Sequence, residues 1–95
     1  MTYLIERKNP TLEAIKFTGD NSLIVEEFTH FNTWGFCKIN VNGEDTHRCF
    51  LTSSDSDKDV LVKEGDYIVK KENGVYKRFS PEEFLEKFEI LGETP

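Results

Sequence analysis

Nowhere does the chain hold an apolar run approaching the roughly 18 residues that a membrane helix requires. Its first ten residues carry Glu6, Arg7 and Lys8 and no apolar signal core. A cytoplasmic protein without a membrane partner is therefore expected. Basic residues are in deficit, 12 against 18 acidic ones for a net charge of -6. That balance works against general attraction to nucleic acid phosphates and makes a basic protein surface the natural complement. The six glycines are dispersed among turns, so no glycine-rich phosphate loop is present. Neither a serine nucleophile motif nor a Cys and His dyad with an orienting acid emerges. A non-enzymatic protein is expected. Cysteine is limited to two residues, and in a reducing cytosol these read as thiols or metal ligands rather than a structural disulfide. With no repeat and no linker, residues 1–95 read as one domain.

What the chain does hold is aromatic. Eight phenylalanines in a sequence only 37% apolar predict a small, aromatic-rich core. Period-two alternation predicts a strand over 12–18, ended by Gly19-Asp20-Asn21-Ser22. Ile24, Phe28 and Phe31 then recur at helical spacing. Residues 36–41 and 46–52 flank Asn42-Gly43-Glu44-Asp45 as a hairpin. Further strand pieces are predicted over 60–62, 67–71 and 75–79, with Asn73-Gly74 a tight turn. Ser80-Pro81-Glu82-Glu83 is a capping box with proline at the first helical position, and Phe84, Leu85 and Phe88 form the apolar face of that short helix. Residues 88–91 are expected to close the chain in extended form. The fold class is α+β, a small antiparallel sheet or meander packed against one longer and one short helix.

Two blocks, Glu13-Ala14-Ile15-Lys16-Phe17-Thr18-Gly19-Asp20-Asn21 and Gly65-Asp66-Tyr67-Ile68-Val69-Lys70, resemble a pattern in small bacteriophage and prophage proteins of unassigned activity. In that group the Gly-Asp-Tyr/Trp-Ile strand leads through a turn to an aromatic strand and a proline-containing helix. Asn73-Gly74, Tyr76, Pro81 and Phe84 follow the same order here. The resemblance implies a shared fold and transfers no catalytic residue. Residues 30–60 depart from the pattern and carry both cysteines and both histidines.

His30, Cys37, His47 and Cys49 together have the composition of a tetrahedral structural zinc site. An odd-numbered or bulged loop at Asn42-Gly43 would place Cys37, Ile39 and Val41 opposite His47, Cys49 and Leu51 on one face. A strict two-residue turn would separate the cysteines. The first arrangement makes the more apolar face and is the expected one, with His30 closing the site. Two other readings stay open: both cysteines buried as small apolar residues with surface histidines, or a cross-strand disulfide. Asp55, Asp57 and Asp59 mimic the start of a calcium loop with Asp66 as its last ligand, but Val60 stands where that loop needs glycine. The aspartates then form an acidic contact surface, joined by Glu26 and Glu27 on the first helix.

Size, acidity and resemblance together suggest a phage accessory protein that binds and inhibits a host protein. A nucleic-acid-handling defence protein of the CRISPR type is one target, and direct nucleic acid binding is not expected. Tyr67, Tyr76, Trp34 and Phe36 are candidate anchors, since aromatics dominate interface energetics. The alternatives are a small nucleotide-binding or sequestering protein with a pocket between sheet and first helix, and a structural component of the virion or of lysogeny.

Overall fold

A computed structural model describes residues 2–6, 11–52, 59–71 and 74–94. Two strands, β1 (Thr2–Glu6) and β2 (Thr11–Lys16), lead into the helix α1 (Ser22–Phe28). Next come β3 (Thr33–Val41), β4 (Glu44–Leu51) and β5 (Val60–Lys63), then β6 (Tyr67–Lys70), β7 (Tyr76–Phe79), the helix α2 (Pro81–Lys87) and β8 (Glu89–Thr94). The fold is α+β and mostly strand, as the sequence predicts. Its strands are divided between a five-stranded sheet of order β7-β6-β2-β1-β8 and a three-stranded sheet of order β3-β4-β5. Every pairing is antiparallel.

At β2 and β6 the large sheet is buried on both faces, and β2 shows why. Leu12 and Ala14 point to one side, where they pack with Tyr67, Val69, Phe79 and the α2 residue Phe84. Ile15 and Phe17 point to the other, against Val25 of α1 and Cys49, Leu51 and Val62 of the small sheet. The order of layers is therefore α2, large sheet, then small sheet with α1. Each half of the alternation read in 12–18 thus contributes buried apolar residues, Leu12 and Ala14 to one side and Ile15 and Phe17 to the other.

The chain returns from β5 to β6 through a tight turn in which the Asp66 N–H donates to the Lys63 carbonyl at 2.9 Å. Gly65 takes φ +96° there, a conformation open to glycine at no steric cost. Asp66 is buried, and its Oδ2 accepts from Lys63 N and from Arg78 Nε, each at 2.8 Å. Asp66 is thus a turn and ion-pair residue; it does not close a calcium loop.

The two helices are each seven residues long and start differently. At α2 the predicted capping box is present: Ser80 Oγ accepts from Glu83 N, and Glu83 Oε1 accepts from Ser80 N. At α1, Asn21 stands in the capping position without capping. Its side chain instead donates to the Lys16 carbonyl at 2.8 Å and accepts from Thr18 N at 3.0 Å, tying the loop to β2. The helix ends at Phe28, and His30 and Phe31 both take positive φ, 53° and 64°. Phe31 N still reaches the Glu26 carbonyl, at 2.7 Å. The predicted apolar stripe is consequently out of phase. Val25 is the buried helix residue, Phe28 is half-buried, and Ile24 and Phe31 are exposed, Phe31 by 73%.

Candidate functional site

The β3-β4 hairpin turns through two residues, Asn42 at φ 52° and Gly43 at φ 84°, with Val41 opposite Glu44. Positive φ at both central positions marks the turn type that matches strand twist, and Asn-Gly is its preferred sequence. This register pairs Ile39 with Thr46 and Cys37 with Arg48. The expected odd loop is thereby corrected: the cysteines lie on opposite faces, Cys37 exposed and Cys49 fully buried.

A register shift between Trp34 and Cys37 completes the arrangement. Trp34 opposes Phe50 and Cys37 opposes Arg48, so Gly35 and Phe36 together face Cys49. Gly35 absorbs the extra residue at φ +68°, the geometry of a bulge that requires glycine. Phe36 can then turn inward, edge to face with Phe17 at 5.9 Å, while Trp34 and Cys37 both look outward.

Three rows result on the outer face of the small sheet. Trp34, Phe50 and Leu61 form the first, Cys37, Arg48 and Lys63 the second, and Ile39 and Thr46 the third, with Val41 beyond. Trp34 is 48% exposed and Val41 49%. The indole stacks on Phe50 at 4.9 Å between centroids, and its N–H donates to Thr52 Oγ1 at 3.1 Å. Thr52 in turn donates to Asp59 at 3.0 Å. The hairpin overhangs the end of β5, and there a notch of about 500 Å³ opens among Ile39, Val41, Leu61, Arg48, Lys63 and Glu64. The apolar side of β3 thus faces solvent, the reverse of the ordinary rule for a sheet with one covered face.

The four Cys and His residues have separate surroundings. His30 Nδ1 lies 2.6 Å from the Tyr76 hydroxyl. Cys37 Sγ accepts from Arg48 Nε at 3.4 Å on the outer face. His47 Nδ1 is 2.8 Å from Glu64 Oε1, and that hydrogen bond holds the Glu64 carboxyl below its ordinary value. Gly19, at φ +93°, lies so closely against the His47 ring that a Cβ there would collide with it. Cys49 sits in the inner core, where burial first, then Asp66 and Cys37, push its thiol up to about 12. Among the described residues, no three His, Cys, Asp or Glu side chains converge in a way that could hold a metal ion. The register is the physical reason that Cys37 and Cys49 do not meet.

Of the acidic contact residues, Glu27 and Asp59 are exposed and Glu26 is half-buried, whereas Asp55 and Asp57 lie outside the described residues. Tyr67 and Tyr76 are core residues and Phe36 is half-buried, which leaves Trp34 as the exposed member of the predicted anchors. Sequence reasoning missed Phe50, Leu61, Arg48 and Lys63. The signal was the Asn-Gly pair itself, which specifies a two-residue turn and so sets Cys37 on the opposite face from Cys49 and on the same face as Arg48. No helix among the described residues is long and apolar enough to cross a membrane. No family model matches the chain, and neither does any curated protein or solved structure.

Proposed function

We propose that this chain is a non-enzymatic binding protein that seats a partner protein on the outer face of its three-stranded sheet. The phage resemblance of the sequence gives the reading its finer form, an accessory protein that occupies and inhibits a host protein. The observation that carries the proposal is the exposed Trp34, fixed by its stack on Phe50 and its bond to Thr52, on a strand whose apolar side is turned to water. Aromatic side chains held in one conformation before binding lose little freedom on contact, and such residues concentrate binding energy at interfaces. Exposed apolar and aromatic groups gathered on one face favour an interaction surface over a merely solvated one.

The test is quantitative capture of partners from a bacterial host extract with the wild-type protein and with Trp34→Ala, alongside their thermal unfolding. A single host protein retained by the wild type, with affinity lowered at least tenfold in Trp34→Ala at unchanged unfolding temperature, is the expected result. Equal retention by both proteins would move the interface elsewhere. If no protein is specifically retained, the sequestering and structural alternatives take over.

A further inference from the structure

Arg48 and Lys63 stand directly opposite each other on neighbouring strands. Like charges in that relation repel and weaken a sheet. The chain carries more carboxylates than cations, 18 against 12, yet none among the described residues pairs with either side chain. Glu64, the next residue along, is engaged by the His47 ring at 2.8 Å and the His47 N–H at 3.2 Å. Arg48 has its Nε bond to Cys37 Sγ, which leaves the outer nitrogens of the guanidinium available. Beside this cationic pair lie Ile39, Val41 and Leu61, and the notch they share measures about 500 Å³. That volume falls in the range of roughly 300–1,000 Å³ usual for small-molecule sites. Two cations without a carboxylate partner among the described residues, set next to apolar side chains, form a local conflict that folding alone does not reward, and such conflicts gather at functional sites.

We infer that the notch binds a small amphipathic anion, its carboxylate or phosphate head between Arg48 and Lys63 and its apolar chain against Ile39, Val41 and Leu61. The head relieves the repulsion between the two cations by charge-assisted hydrogen bonds, and the guanidinium presents a planar fork suited to either oxyanion. The apolar chain covers side chains that otherwise face water. This inference rests on the notch alone and stands whether or not the same face seats a protein.

The experiment is a titration of the isotope-labelled full chain with octanoate, octyl phosphate and octanol, followed by backbone amide chemical shifts. Saturable shifts centred on residues 39, 41, 48, 61 and 63 are expected with both anions, with octanol at least tenfold weaker. Arg48→Gln with Lys63→Gln should weaken both anions at least tenfold. Lys70→Gln with Lys87→Gln, which removes the same charge elsewhere, should leave binding unchanged. Whichever anion binds more tightly distinguishes a phosphate from a carboxylate ligand. The inference is overturned if neither anion saturates, if octanol binds as well as the anions, or if the shifts survive in Arg48→Gln with Lys63→Gln. A protein that binds these anions yet retains no host partner would separate the failure of the docking reading from that of this one.

Discussion

Cys37 and Cys49 differ chiefly in which face of one sheet they occupy, and their chemistry follows from it. Cys37 is exposed beside the Arg48 guanidinium, whereas Cys49 is fully buried with its thiol pushed up to about 12. Because the thiolate is the reactive form, a thiol reagent at neutral pH should modify one cysteine rapidly and the other only on unfolding. Cys37→Ser should remove the fast phase. Rapid modification of both thiols in the folded protein would contradict the register of β3 and β4. The number and type of soft ligands between residues 30 and 49 were legible in the sequence. Their separation was not, because it turns on a single step of register.

At the scale of elements, α2 was the most legible. Its capping serine, its proline and its returning glutamate are local features acting through local hydrogen bonds. Ser80→Ala should lower unfolding stability by about 1 kcal/mol, read from urea titration at neutral pH. The Glu83 carboxyl is held below its ordinary value by the Ser80 N–H and hydroxyl. Its contribution is therefore present above the usual glutamate range and is lost as pH falls through the folded value. A wild-type midpoint matched by Ser80→Ala would mean that the box adds nothing. By contrast, α1 was legible as a helix but not in phase. The stripe of Ile24, Phe28 and Phe31 has helical spacing, yet the helix stops at Phe28 and buries Val25. The first strand, Thr2–Glu6, was missed because its pairing with β2 and β8 is not encoded locally.

For the whole molecule, the inner core couples stability to alkaline pH. Cys49 is raised from 9.0 to about 12, and burial, with a smaller contribution from Glu13, also raises the Tyr76 phenol above its ordinary 10.0. In both, the folded state holds its proton more tightly than the unfolded chain, so the stabilisation is complete below about pH 9 and is lost as pH rises toward 12. The urea midpoint should fall over that window, and Cys49→Ala should flatten the fall while leaving the part due to Tyr76. Superimposable profiles for the two proteins would place Cys49 outside the core. The residues that make this core, Ile15, Phe17, Val25, Cys49, Leu51, Val62, Ile68 and Tyr76, come from six elements spread along the chain and, for Phe17, from the loop that follows β2.

By itself the sequence determined the α+β class, most strands, the existence of the β3-β4 hairpin and the start of α2. Each depends on alternation, turn chemistry or capping within a few residues of itself. The expected odd loop at Asn42-Gly43, by contrast, is a two-residue turn, and Asn73 of the second Asn-Gly pair lies outside the described residues. Tertiary structure alone decided which face of each strand is covered, and with it the outward turn of Trp34, Ile39 and Val41 and the meeting of Arg48 with Lys63. Side-chain direction alternates with every residue, so one step of register or one glycine bulge exchanges core for surface. That exchange is settled only when the two sheets and both helices pack against one another.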